Sequence, residues 1–301
     1  MSPKTQLAVQ TARIGSGGQL EKSVWAARPL FWFFLLGFGV PWAGWTTMHL
    51  LKVPIPWGHP SVLGWSLYLS GDWMSVAGFV ATYMAAGKQG VRDLLARCVR
   101  ARVSPLCWIY ALFLPFVWSI SAAFAYGATH GGVGPVKPLA ISYMFAPSVL
   151  AAFITGPLGE EAGWRGFLLP HLLRRYSPLV GSIILGVLWS LWHAPLYYNS
   201  NFSTVVGVTR FTVAVISLSI LITILHLKGR SSVLLAIVMH WSTNIVPDVV
   251  QKMFPRLPAD SQWVDVVALT VQVVVTVAVV LIVGVRQFTR RDSEVTALRS
   301  T

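Results

Sequence analysis

Acidic residues are rare in this sequence: 10 Asp and Glu stand against 23 Lys and Arg, and charged residues of either sign make up only 11% of 301 positions. A soluble domain carries roughly 25% charged residues, so the chain lacks the groups that would cover a water-facing surface. Cysteine is scarce too. Cys98 and Cys107 show no metal-ligand spacing such as Cys-x-x-Cys, and they say little about function. There is no His-Glu-x-x-His, which excludes an ordinary zincin, and no internal repeat or low-complexity block. The net charge of +13 does not indicate nucleic acid, because the basic residues sit in short gaps between apolar runs and not on one soluble face. No nucleic-acid partner is expected.

What the sequence has in quantity is apolar length. Residues of the hydrophobic set make up 55%, the mean hydropathy is +0.64, and about 20 apolar residues suffice to cross a bilayer. Eight candidate spans follow one another, at about 29–51, 61–86, 105–127, 139–163, 179–199, 207–227, 231–250 and 264–285. The fold expected is all-α, a polytopic membrane protein, with VPIPWGHP, HGGVGPVKP and APLYYNSN as connections. With both termini inside, inner segments hold 18 of the 23 Lys and Arg and outer segments the other five: Lys52, Lys137, Arg210, Lys252 and Arg256. That asymmetry orients the spans, because cytoplasmic loops keep the positive charge. Residues 1–28 then read as a flexible basic cytosolic tail without the apolar run of a signal peptide, 29–285 as the membrane domain and 286–301 as a second basic cytosolic tail. From Lys88 to Val103, Val91, Leu94, Leu95 and Cys98 recur at helical spacing among arginines, which predicts an amphipathic helix on the inner leaflet.

Ionisable groups inside spans cost about 2.5–3.5 kcal/mol each on insertion scales, so each one is a site candidate. Those here are Asp72, Glu160, Glu161, Arg165, His193 and His240, with Asn244 beside the last. Glu161 and Arg165 are four residues apart, acid first, which is the favourable order for a helical ion pair. Glu160 is turned about 100° away from Glu161 and is left to act on something else. Solvated carboxylates at the membrane boundary are the plain alternative. His193 follows Trp189 by one turn, ahead of Ala194-Pro195, and His240 stacks with Asn244 on one helical face. The latter pair can bind a metal, donate to an oxyanion or join two helices. Together these groups supply the parts that activate a water and stabilise a tetrahedral intermediate. Glu160, His193 and His240 are also the ligand types of a hydrolytic zinc site. Asp72 reads as a hydrogen-bonded helix contact.

In sequence order, Glu160-Glu161-x-x-x-Arg165, Trp189-x-x-x-His193 and His240-x-x-x-Asn244 resemble the motif set of the CPBP intramembrane proteases. That family includes the Rce1-like type II CAAX prenyl endopeptidases and the Abi proteins of bacteriocin processing and self-immunity. The resemblance extends to GKQGVRDLLARCVRARVSP and RGFLLPHLLRRYSP and covers about 85–250. It implies eight helices around a cavity open to the cytosol, and endopeptidase activity on a membrane-associated or lipidated peptide. By it, Glu160 and His193 activate water, His240 and Asn244 stabilise the oxyanion, and Glu161 and Arg165 hold the site in shape. It leaves zinc and metal-free glutamate chemistry both open. The second motif usually begins with Phe. Trp189 keeps the aromatic wall but needs a partner for its N–H, a departure that bears on substrate fit. The resemblance also implies the plasma membrane of a prokaryote, in contact with lipid. A non-catalytic immunity or scaffold protein of the same family is the alternative, and a proton-coupled transporter lacks the two-fold repeat many such proteins show.

Overall fold

The structure, a computed structural model, describes residues 28–56, 59–138, 143, 146–197, 203–258 and 261–284. The tail readings for 1–27 and 286–301 lie outside these residues. Among the described residues every regular element is helical, as expected for the fold class. Helix α1 runs Arg28–Leu50 and α2 Val62–Tyr68. A tight turn at Leu69–Asp72 leads into α3, Trp73–Cys98, and α4 is Pro105–Thr129. Then come α5 (Pro147–Phe153), α6 (Gly159–Glu161), α7 (Leu169–Leu173), α8 (Pro178–Trp192), α9 (Ala194–Tyr197), α10 (Val205–Lys228), α11 (Val233–Met253) and α12 (Gln262–Val283). Starts are marked by residues that suit them: Ser177 caps α8 ahead of Pro178 at its first position, and Ser232 caps α11.

Five of these helices are long and apolar enough to cross a membrane: α1, α4, α10, α11 and α12. The other three expected spans are interrupted or short. The second is broken at Leu69–Asp72, and the fifth is a 15-residue helix ending at Trp192, seven residues before the expected bound. The fourth departs most. Residues 139–142, 144 and 145 lie outside the description, and the helical path runs from Pro147 to Leu173, joined by wide π-type turns at Ile154–Leu158 and Ala162–Leu168. Non-helical backbone at membrane depth is tolerated where it is buried in protein or lines a cavity, and these are the segments that carry Asp72, Glu160 and His193.

Helix α10 packs between α8 and α12, α11 and α12 both pack on α4, and α3 runs along 162–168. That last contact is close: a methyl group added at Gly163 would stand 2.3 Å from the Met74 carbonyl oxygen. Large aromatics fill the centre, with Phe33, Trp164, Trp189 and Trp192 buried. Trp192 donates through Nε1 to Gly37 O at 2.7 Å, and Trp42 donates back to Trp192 O at 2.9 Å. These bonds lock α1 to the end of α8.

The chain leaves helical geometry at Gly87 (φ 61, ψ −158), so the stretch after it is a separate helix ending at Cys98. Its Leu94 is buried and Arg92 is exposed, as an amphipathic segment requires, whereas Leu95, expected on the apolar face, is exposed. Arg97 Nη2 donates to Gly166 O at 2.8 Å and Arg100 Nη1 to Arg230 O at 2.5 Å. The segment therefore ties together two other parts of the bundle.

Candidate active site

The corrected path of the fourth segment removes an apparent mismatch in depth. With an inner end near residue 163, Glu160 would lie shallow and His193 deep. Because the helical path continues to Leu173 before the turn to Pro178, Glu160 and His193 both lie about 20 Å of helix from that turn, at 1.5 Å per residue. The solvated alternative for the glutamates is overturned. Glu160 is buried and Glu161 fully so.

The two carboxylates have different partners. Glu161 Oε1 accepts from Arg165 Nη1 at 2.8 Å and from His240 Nδ1 at 2.9 Å, so the expected i, i+4 pair forms and a histidine from α11 joins it. Glu160 Oε2 accepts two indole N–H groups, Trp189 Nε1 at 2.7 Å and Trp164 Nε1 at 3.2 Å. Trp189 is more than an aromatic wall. Its N–H finds its partner in Glu160, and its ring carries the Arg165 guanidinium 4.3 Å from the centroid and the edge-on His240 ring at 4.9 Å. Sequence reasoning missed Trp164, although it follows Glu160 by the four residues that singled out Glu161 and Arg165.

Each histidine has one nitrogen committed. His193 Nδ1 lies 2.8 Å from Trp189 O. A carbonyl can only accept, so Nδ1 carries the hydrogen and Nε2 the lone pair. His240 Nδ1 likewise donates to the Glu161 carboxylate, which leaves Nε2 for other work. His193 is enclosed by rings, Trp192 at 4.8 Å and Phe211 at 5.1 Å between centroids. Asn244, one turn after His240, is exposed.

The opening of the site is at Gly156 (φ 131, ψ −89), a conformation that costs an L side chain dearly. A methyl group there would stand 3.4 Å from Glu160 Oε1 and 3.9 Å from Asn244 Nδ2. Glycine at this position thus lets the oxygen of Glu160 that bears neither indole bond face the Asn244 amide across an open point. Leu150, Ile154 and Leu158, on the same segment, are about half exposed. Asp72 sits behind the break, hydrogen-bonded to the Gly156 backbone, which is the helix contact its position suggested.

Glu160, His193 and His240 are not grouped closely enough to hold a metal ion, and no set of three or more His, Cys, Asp or Glu among the described residues is. Indole donors hold one Glu160 oxygen, and Glu161 takes the His240 Nδ1, while Glu160 Oε1, His193 Nε2 and His240 Nε2 carry none of these bonds.

The structure and composition define an all-α polytopic membrane protein with a carboxylate and two imidazoles gathered inside it and an exposed amide one turn from one of them. Residues 142–246 match the family described as type II CAAX prenyl endopeptidase, Rce1-like. Over 108 residues the chain is 36% identical to CAAX prenyl protease 2 of Methanococcus maripaludis, a match covering 34% of this chain and 40% of that protein. This segment, which holds all three motifs, is similar to the CPBP/Rce1-like family, as the motif resemblance implied.

Proposed function

We propose that the chain is an intramembrane endopeptidase that hydrolyses a membrane-associated peptide, with Glu160 as the general base. The observation that carries this reading is the asymmetric hold on Glu160: Oε2 is fixed by two indole N–H groups while Oε1 faces the open point at Gly156 and Asn244. A base must be rigid and still reach its proton. Water placed between Glu160 Oε1 and His193 Nε2 gives a proton to the carboxylate as its oxygen bonds to the substrate carbonyl carbon. The charge that develops on the carbonyl oxygen is met by Asn244 Nδ2–H and by His240 Nε2–H, the latter with His240 as an imidazolium opposite Glu161. The proton then passes from Glu160 to the departing amine as the C–N bond breaks. Glu161 accepts from both Arg165 and His240, so that the two groups share one carboxylate in a low-dielectric interior.

The half-exposed apolar residues Leu150, Ile154 and Leu158 precede Glu160 on the same segment, and they favour a substrate that arrives from the lipid with an apolar or lipidated segment. The name of the Methanococcus maripaludis relative, a CAAX prenyl protease, supports the same class, a peptide ending in a CAAX-like sequence.

The test is cleavage of a lipidated, membrane-tethered peptide by purified protein in liposomes. Glu160→Gln keeps the volume and the indole contacts but removes the base. It should lower kcat by at least about 10³-fold while the fold stays intact, and a strong zinc chelator should leave the wild-type rate within about two-fold. Turnover by Glu160→Gln at the wild-type rate would sink the assignment.

A further inference from the structure

The structure assigns Asp72 as a positioning residue for Glu160. This rests on the proposed reaction for its kinetic consequence, although not for its structural one. The helical path that carries Glu160 and Glu161 is broken just before them, at Thr155 (φ −83, ψ 83) and Gly156 (φ 131, ψ −89). A break of this kind strands backbone N–H groups that the preceding turn would otherwise satisfy, and in a bilayer interior water is not there to satisfy them. Pro157 resumes the helix without needing a partner for its nitrogen. The Gly156 N–H does need one. The Asp72 carboxylate, from the turn between α2 and α3, accepts it.

The contact is built on both sides. Gly159 leaves room for the carboxylate, because a methyl group at that position would lie 2.0 Å from Asp72 Oδ1 and 2.3 Å from its Cγ. One turn further along α3, Ser75 Oγ donates to Leu158 O at 3.1 Å. Asp72 and Ser75 therefore hold the two ends of the Gly156–Leu158 step, one by accepting and one by donating. Glu160 is the second residue after that step. Asp72 also lies close enough to Glu160 for their charges to interact, so its carboxylate shares the site's field as well as its backbone. Removing Asp72 leaves the Gly156 N–H without an acceptor, lets the start of the helix shift, and moves Glu160 Oε1 away from the point it shares with Asn244.

Two measurements test this, one of them independent of catalysis. In hydrogen–deuterium exchange of the protein in liposomes, Asp72→Ala should speed exchange of the amides at 156–161 at least ten-fold, while Asp72→Asn, whose amide oxygen can still accept, should change it less than three-fold. In the peptide-cleavage assay Asp72→Ala should lower kcat at least ten-fold with KM within three-fold, and Asp72→Asn should recover most of that loss. Unchanged exchange in Asp72→Ala, or Asp72→Asn as defective as Asp72→Ala in kcat, would overturn the inference. Should Asp72→Ala not fold, a Asp72→Asn variant with wild-type exchange and kcat within three-fold supports it, and a ten-fold loss in either refutes it. If the wild type cleaves nothing, the proposed reaction fails while the exchange data still decide the role of Asp72.

Discussion

At the scale of single residues, what separates the two adjacent glutamates is the chemistry of their donors. Glu161 is held by the Arg165 guanidinium and the His240 imidazole, and Glu160 by neutral indoles. An indole N–H fixes a carboxylate without neutralising it, which leaves its charge available to take a proton. This division was half legible in the sequence. Helical spacing pairs Glu161 with Arg165 and turns Glu160 away from them, but the partners of Glu160 come from Trp164 and from another helix, and a three-dimensional contact to Trp189 leaves no local periodic trace. Trp189→Phe would restore the residue usual in the second motif and keep the ring, yet remove the 2.7 Å bond to Glu160. A hydrogen bond to a charged group contributes about 1.5–3 kcal/mol, so the thermal unfolding midpoint should drop, and kcat/KM should fall about ten-fold or more as Glu160 loses its hold. An unaltered kcat/KM would show that the indole bond is incidental and that ring volume is what the position requires.

Among elements, the informative ones are those that fail to be continuous helices. Hydropathy located all eight apolar stretches, because each has the composition of a span, and it placed the five uninterrupted ones within a few residues of where they lie. It misplaced the end of the fourth. Glu160, Glu161 and Arg165 lower the local hydropathy as a boundary would, whereas pairing lets them be buried in mid-path, and no window average distinguishes a paired charge from a solvated one. What holds this segment against α3 is closeness of backbone. A methyl group at Gly163 would meet the Met74 carbonyl oxygen at 2.3 Å and its carbonyl carbon at 2.8 Å, and backbone cannot rotate aside as a side chain can. Small residues permit such approach between helices in membranes. Gly163→Ala should therefore destabilise by at least about 2 kcal/mol, seen as a clear drop in the thermal unfolding midpoint in detergent. Gly39→Ala, with nothing within 4 Å of the added methyl, should leave the midpoint where it is. Equal midpoints for the two variants would mean that α3 and the 162–168 turn yield to each other easily.

The molecule as a whole is asymmetric in charge, and this makes its orientation testable with the chain's own chemistry. Exposed Lys88, Arg92, Arg102, Arg174, Arg175, Lys228 and Arg230 lie at helix ends and turns at one end of the bundle, where Arg100 joins Arg230 and Ser232 Oγ donates back to Arg100 O. Lys52, Lys137, Lys252 and Arg256 belong to the other end, where the Lys137 N–H donates to Met253 O. Positive charge is retained on the cytoplasmic side of a membrane, so the first end should face the cytosol and the turn at residues 174–177, with Glu160 and His193 beyond it, should be approached from there. Cysteines placed at exposed Lys88 and Lys52 report on this through a membrane-impermeant maleimide. The native thiols interfere little: Cys107 is buried, and burial pushes the Cys98 thiol up to about 11. The thiolate is the reactive form, and a rise from 9.0 to about 11 lowers its fraction near pH 8 by about 100-fold, with labelling of Cys98 recovering only as the pH approaches that value. In intact cells Lys52→Cys should be labelled and Lys88→Cys protected, with labelling of Lys88→Cys appearing once the membrane is permeabilised. The reverse pattern would invert the bundle and with it the side from which the site receives its substrate.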